Sequence, residues 1–367
     1  MNFAASVVSW STRGLVRGTS LLTTPLRLDE YLALANPLWA VRDLRGRVEA
    51  VLPETPDATT LVLRPGLGWR GHLPGQYVRV GTEIDGVLHW RMFSLSSPAG
   101  ARDGRIRITV RASPYGTVSR HLAHRTVPGT LLWLSPARGG FVLGRPVPRR
   151  LLFLTAGSGI TPVMAMLRTL AARGRLPDTV MAHSAPTRQD VIFGAELRGL
   201  AARFPRFRLH EHFTRAGGGP RARLTTARLP EVCPDWRERQ TWACGPAGML
   251  DDVERYWDRH GLADRLHTER FHPVFRTADG GGGGGRVRFT ETGVEADADA
   301  STPLLAVGED LGLPMPYGCR MGICFGCILP LVHGRVRDLR TGRAHGEEGD
   351  LIQTCVSAAA GPVAIEL

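Results

Sequence analysis

Cys319, Cys324, Cys327 and Cys355 fall in the order C-x4-C-x2-C, followed by a long gap and a last Cys. In that spacing a tight loop wraps three thiolates around a [2Fe–2S] cluster and a distant strand brings the fourth. Thiolates are soft ligands that suit iron–sulfur or zinc. Zinc is the alternative, but structural zinc sites usually arrive as two closely spaced pairs, whereas here three ligands crowd together and the fourth stands alone. Gly318, Gly322 and Gly326 punctuate the loop, as a tightly curled backbone requires. A [2Fe–2S] centre carries one electron at a time, so the chain is expected to move electrons.

Two upstream groups of residues suit a flavin. Arg91-Met92-Phe93-Ser94 ends a strand: the Arg can pair with a pyrophosphate, the ring can stack on an isoalloxazine, and the hydroxyl can bond the ring edge. Gly116-Thr117-Val118-Ser119 opens a helix through Leu122, and a helix N-terminus with a free hydroxyl is an anion site. Arg111, between the two, is a further candidate cofactor contact. Taken singly, Arg91 reads equally as a surface strand residue and Ser119 as an ordinary first-turn residue.

A third group suits a nicotinamide dinucleotide. Gly157-Ser158-Gly159-Ile160-Thr161-Pro162 follows the apolar strand Leu151–Thr155 and leads into a helix. The glycines let backbone N–H groups approach a pyrophosphate, and Pro162 suits a first helical turn. Cys244-Gly245-Pro246 follows the strand Gln240–Ala243, on the same C-terminal rim where ligands bind. Ser94 and Cys244 are the catalytic candidates. A 2′-phosphate wants Arg or hydroxyl partners and no acid. Thr214 and Arg215 supply both, with Arg221 and Arg223 close behind and Arg188 as a further candidate, and no Asp or Glu occurs from 214 to 228. NADPH is therefore preferred to NADH.

The elements that must position these residues divide the 367-residue chain. Residues 1–40 read as an extension, leucine-rich over Leu21–Leu34 without a strict helical period. From 41 to 148, short strands at Gly46–Val51, Thr59–Arg64, Gln76–Val80, Leu88–Ser94, Arg105–Arg111 and Thr130–Leu134, separated by Gly/Pro turns, predict an antiparallel β-barrel. From 149 to 277, strands at Leu151–Thr155, Thr179–His183, Phe207–His212 and Gln240–Ala243 alternate with helices at Thr161–Arg173 and around Glu196–Ala202, predicting a doubly wound α/β domain. Gly280–Gly285 closes a linker, 278–285, expected to be a flexible tether. The cluster module is expected over 286–367.

Net charge is +12, carried entirely by Arg, since the chain has no Lys. From Arg286 onward seven Arg face eleven Asp and Glu, a net of −4, which leaves +16 on the rest. An acidic tail on a basic body fits steering between redox partners, and the distribution argues against nucleic acid. The 43 % hydrophobic content fits a soluble protein. No signal peptide or membrane span is expected: the most apolar stretch, Leu151–Leu167, is short and glycine-marked, and a cytoplasmic location follows. Six cysteines in a chain this long do not suggest a disulfide scaffold, and Cys233 reads as a buried or spare thiol.

The two flavin segments, in this order within one barrel, resemble the signatures of the ferredoxin–NADP reductase superfamily, with Phe93 where that family usually has Tyr. Pro74-Gly75-Gln76-Tyr77 also resembles a strand start of that family. The resemblance implies FAD over FMN, Cys244-Gly245-Pro246 beside the nicotinamide, and a β-grasp plant-type ferredoxin domain at the C-terminus. NADPH delivers a hydride, the cluster accepts single electrons, and flavin is the adaptor between them. Plant-type clusters sit near about −400 mV, so the acceptor must use low-potential electrons. The whole chain is similar to actinobacterial NADPH-dependent ferredoxin reductases that serve an acyl-CoA (stearoyl-CoA) desaturase. Tyr31–Trp39, Asp235–Pro246, Asp264–Phe271, Gly318–Cys324 and Arg335–Gly342 carry that resemblance. It implies a membrane-bound di-iron desaturase as acceptor, with peripheral association through that acceptor at the cytoplasmic face of the membrane. The alternatives are the reductase of an aromatic-ring dioxygenase or alkane hydroxylase and, more remotely, a redox-sensing regulator.

Overall fold

The computed structural model describes residues 28–113, 116–174, 176–215, 225–271, 283–318, 320, 322 and 325–367. Cys319, Cys324, Arg221, Arg223 and residues 1–27 of the extension lie outside them. Helix α1 (Leu28–Ala35) precedes the first strand. Asp29 is buried and its carboxylate accepts the Val41 and Arg42 N–H groups at 2.8 and 3.1 Å. The described end of the extension is thus pinned to the barrel.

Six strands follow: β1 (Arg45–Thr55), β2 (Ala58–Pro65), β3 (Tyr77–Ile84), β4 (Val87–Ser94), β5 (Ile106–Arg111) and β6 (Leu131–Leu134). They form one antiparallel sheet in the order β4-β3-β6-β1-β2-β5. Alternation sends Val78 and Val80 of β3, and Ile106, Ile108 and Val110 of β5, into one core with Leu61 and Leu63. Helix α2 (Thr117–His124) closes that core with Val118 and Leu122.

The chain then alternates. β7 (Arg150–Ala156), α3 (Ile160–Ala172), β8 (Asp178–Ala185), α4 (Gly194–Arg203), β9 (Phe207–Phe213), α5 (Leu229–Val232), β10 (Gln240–Cys244), α6 (Ala247–Arg259) and β11 (Leu266–Glu269) build a parallel sheet of order β11-β10-β7-β8-β9. Every residue of α3 from Ile160 to Leu170 is buried, packed on one face of this sheet. Leu250, Val253 and Trp257 of α6, with Trp236, cover the other. Fully buried Arg239 ties the sheet together: it pairs with Asp178 and Asp235 at 2.9 and 2.7 Å and donates to the Leu151 and Asp178 carbonyls.

Barrel and parallel domain share a seam. Arg168 Nη1 donates to the Ser96 carbonyl at 2.6 Å, the Ala99 N–H to Thr169 Oγ1 at 3.0 Å, and Trp242 Nε1 to the Val142 carbonyl at 3.2 Å. At Gly75 (φ +101°) a Cβ would lie 2.0 Å from the Phe141 carbonyl oxygen, so no other residue fits that seam.

The last module comprises β12 (Gly285–Phe289), β13 (Glu295–Ala298), α7 (Leu304–Asp310), β14 (Ile328–Asp338), β15 (Ala344–His345), β16 (Leu351–Gln353) and β17 (Ser357–Ile365). Its sheet runs β13-β12-β17-β14-β15, with β16 on β14. Parallel pairing of β12 with β17 joins the module's beginning to its end. Two glycines at the end of the run expected to be a tether are packed against backbone. Gly285 begins β12, where a Cβ would meet the Gly361 carbonyl oxygen at 1.9 Å; at Gly284 one would meet that of Ala298 at 1.7 Å. These two glycines allow backbone packing. Among the described residues no helix is long and apolar enough to cross a membrane.

Candidate functional site

The glycine turn after β7 and the Cys-Gly-Pro turn after β10 lie side by side because β7 and β10 are register partners, Thr155 opposite Cys244. Gly159 makes their contact: a Cβ there would sit 2.2 Å from the Cys244 carbonyl oxygen. This glycine therefore serves backbone-to-backbone packing, beyond the pyrophosphate approach inferred from sequence. Thr161 is buried and its hydroxyl donates to the Ser158 carbonyl at 3.0 Å; Pro162 is buried beside it. On this rim a cavity of about 680 Å³ opens, lined by Gly157, Ser184, Thr214, Pro246, Asp251 and Arg255 among others, at the topological switch point where nucleotides bind.

Thr214 reaches the cavity, anchored by its N–H to the Ala185 carbonyl at 2.9 Å, and Arg215 is exposed just beyond, its N–H on the Pro186 carbonyl. Arg111 lines the same cavity: its Nη1 lies 3.2 Å from where a Gly157 Cβ would stand, and its Nε pairs with Asp57 at 2.7 Å. Arg111, a candidate cofactor contact, thus lies at the cavity beside the glycine turn. The structure also brings in Asp251 and Asp252 of α6, which the acid-free segment at 214–228 did not reveal. Arg270 and Arg255 pair with them.

Cys244 is fully buried, and burial, with the nearby Glu269, pushes its thiol well above the usual range. It is a neutral thiol at physiological pH and no nucleophile. Glu269, the register partner of Cys244 at the end of β11, escaped the sequence reading. Burial pushes its carboxyl up to about 8, and its Oε2 has no hydrogen-bond partner among the described residues. A carboxyl with an unpartnered oxygen beside a buried thiol, at the C-terminal edge of the sheet, makes Glu269 a candidate functional position. The nearest sequence signal was a Glu at the end of an apolar-poor strand in HTERF. On β8, across β7 from this pair, burial pushes His183 down to about 4; it stays neutral and shares a 2.8 Å hydrogen bond with Thr155 of the cavity wall.

On the barrel side, β4 is an edge strand whose alternation puts His89, Arg91 and Phe93 on one face, opposite Thr82, Val80 and Val78, and Ser94 on the other, opposite Tyr77. Ser94 is buried, Phe93 packs partly against the barrel core, and Arg91 Nη1 donates to the Trp90 carbonyl at 2.8 Å. The α2 terminus differs from expectation in one respect. The Ser119 hydroxyl is engaged, accepting the Ser113 N–H at 3.1 Å and donating to the Gly116 carbonyl, and the Val118 side chain is core. What the turn can offer an anion is its backbone N–H groups, since Gly116 provides no side-chain cap. A cavity of about 430 Å³ lies over this turn, lined by Gly116, Thr117, Arg120 and His124.

In the last module Cys327 and Cys355 are both buried. The Gly322 N–H donates to Cys355 Sγ at 3.3 Å, and Arg340 fastens the loop by donating to the Gly322 carbonyl at 2.9 Å. Two buried sulfurs, one of them accepting a backbone N–H bond, fit thiolate ligands of an iron–sulfur cluster.

Three domain families match the chain in order: the oxidoreductase FAD-binding domain over residues 66–142, the oxidoreductase NAD-binding domain over 153–255, and the 2Fe-2S iron-sulfur cluster binding domain over 287–360. The chain belongs to the family of NAD(P)H oxidoreductases built from these three domains. It is 51 % identical, over 94 % of its own length and 90 % of the relative's, to a protein of Mycobacterium tuberculosis (strain ATCC 25618 / H37Rv) described as an NADPH oxidoreductase. It is 30 % identical to the glycine betaine monooxygenase reductase subunit of Pseudomonas aeruginosa (strain UCBPP-PA14), over 80 % and 86 % of the two chains. Among solved structures, phthalate dioxygenase reductase superposes with a TM-score of 0.60 at 22 % identity, covering 88 % of this chain and 97 % of that one, and shares the fold. The cofactors are FAD, a nicotinamide dinucleotide and a [2Fe–2S] cluster, and the chain is an oxidoreductase.

Proposed function

We propose that this chain oxidises NADPH and delivers the electrons one at a time to a separate protein, a membrane-bound di-iron acyl-CoA desaturase. The observation that carries the electron path is the presence of all three domains in one chain, with the nucleotide rim and edge strand β4 on two domains locked by a shared seam, while the desaturase as acceptor rests on the sequence resemblance. Bound FAD supplies hydride acceptance and single-electron release, and the cluster supplies one-electron transfer. The chain's own residues do the rest. Gly157 and Gly159 cradle the dinucleotide at the start of α3. Thr214 and Arg215, with Arg223 outside the described residues, receive the 2′-phosphate. Arg91 and the α2 turn hold the flavin phosphates, Phe93 stacks on the ring, and Ser94 bonds its edge. Cys244, Gly245 and Pro246 pack at the nicotinamide, with Glu269 as the group that holds or gives up a proton there. Cys319, Cys324, Cys327 and Cys355 ligate the cluster.

NADPH is favoured by Thr214 and exposed Arg215 at the cavity mouth, by the pairing of both α6 carboxylates, and by the name of the mycobacterial relative. A second reading, the reductase component of an oxygenase, is favoured by the names of the relatives that serve glycine betaine and 3-ketosteroid monooxygenases. Two assays test these readings. Arg215→Ala should raise the KM for NADPH roughly ten-fold or more and leave that for NADH nearly unchanged, by loss of a charge-assisted bond; equal effects would reject the 2′-phosphate assignment. Membranes carrying an acyl-CoA desaturase should gain NADPH-dependent desaturation on adding the protein. Failure there, with turnover of a terminal oxygenase instead, would favour the second reading.

A further inference from the structure

Tyr317 stands two residues before the cluster-loop residue Cys319. Two guanidinium groups stand over its ring: Arg320 of its own loop, with Cζ 4.8 Å from the ring centroid, and Arg91 of the flavin-domain strand β4, at 5.8 Å. His89 tilts against the same ring with centroids 6.3 Å apart. Arg320 is itself anchored, making a two-point pair with Glu309 at the end of α7, Nη1 to Oε2 at 2.8 Å. His89 and Arg91 share the β4 face that ends in Phe93, and alternate residues of a strand stand about 7 Å apart. The ring therefore touches the barrel within one or two residue pairs of the position proposed to stack on the flavin. Tyr317 is 40 % exposed and takes no part in its own module's apolar core. A ring left out of its core, braced by one cation and presented to another on a neighbouring domain, makes a docking contact.

We infer that Tyr317 is the positioning residue that seats the cluster module on β4, with the Glu309–Arg320 pair holding its ring against Arg91. The inference rests on the electron path proposed above and names the contact that sets its flavin-to-cluster step. Charge agrees at the level of the domains, since Arg91 belongs to the basic body and the module that docks on it carries a net −4.

The test compares fully loaded wild type with Tyr317→Ala, Tyr317→Phe and Glu309→Gln, after iron, sulfide and flavin contents are shown to be equal. Stopped-flow mixing with NADPH separates flavin bleaching from cluster reduction. Amide hydrogen exchange over 87–94 in the oxidised protein reads docking with no electron transfer. A cation–π contact at a partly exposed site is worth roughly a three- to ten-fold change in docked population. Tyr317→Ala should slow cluster reduction and speed exchange in β4 by that factor, and leave flavin bleaching unchanged. Tyr317→Phe should behave as wild type, and Glu309→Gln should fall between. Wild-type exchange and transfer in Tyr317→Ala would overturn the inference; should that variant lose its cluster, wild-type behaviour of Glu309→Gln would do so. A wild-type protein whose flavin bleaches without any cluster reduction would instead reject the proposed path, and the exchange data would still decide the docking contact.

Discussion

Replacing Glu269 by Gln removes the ionisable proton from a carboxyl that the fold holds neutral. Burial lifts this group from an ordinary value of 4.5 to about 8. Between those values the folded protein keeps a proton that the unfolded chain has released, so folding binds protons and stability falls as pH rises across the window. Each pH unit is worth up to about 1.4 kcal/mol, and the whole window on the order of 3–5 kcal/mol, the lower figure allowing for the part-exposed side chain. Gln at position 269 keeps the shape and abolishes the slope. Trp236, Trp242 and Trp257 are fully buried in this domain and report its unfolding by fluorescence. In denaturant titrations, wild type and Glu269→Gln should have nearly equal stability near about pH 5. Wild type should then fall progressively below the variant, by several kcal/mol near about pH 8.5. A difference between the two proteins that stays constant with pH would refute the assignment of a buried, neutral carboxyl.

Gly159→Ala drives a methyl into the Cys244 carbonyl oxygen, 2.2 Å away, and should separate the two turns. NADPH should then reduce the flavin at least ten-fold more slowly, with FAD content unchanged in the absorbance spectrum. Cys355→Ser removes a buried thiolate that the Gly322 N–H supports; the cluster absorbance should be lost or unstable while NADPH-dependent dye reduction through the flavin survives. Arg239→Leu leaves the Leu151 and Asp178 carbonyls without this donor and reduces Asp178 and Asp235 to their pairs with Arg208 and Arg150, and should cost at least about 2 kcal/mol of nucleotide-domain stability by denaturant titration.

Much of this was legible because it is local. The cysteine loop and the glycine turn state their chemistry within a dozen residues, and period-two and period-3.6 patterns place the strands and helices around them. What escaped depends on register or on distant packing. Glu269 reads as an ordinary acid until parallel pairing sets it beside Cys244 and burial isolates it. Asp251 and Asp252 lie on a helix whose face toward the cavity no nearby motif marks. Ser119 carries the right hydroxyl for an anion, but its own turn consumes it. Gly284 and Gly285 look like tether in a run of six, yet two carbonyls from remote segments require their lack of Cβ. The Tyr317–Arg91 contact joins residues more than two hundred positions apart, and only the assembled domains bring them together.

The central claim is that one chain moves electrons from NADPH through its flavin to its own [2Fe–2S] cluster. Freeze-quenched electron paramagnetic resonance, on anaerobic protein mixed with excess NADPH, tests it most directly. The account predicts flavin bleaching followed by the signal of a reduced [2Fe–2S] centre with no other protein present. A bleached flavin with a cluster that stays oxidised, although dithionite reduces it, would contradict the account.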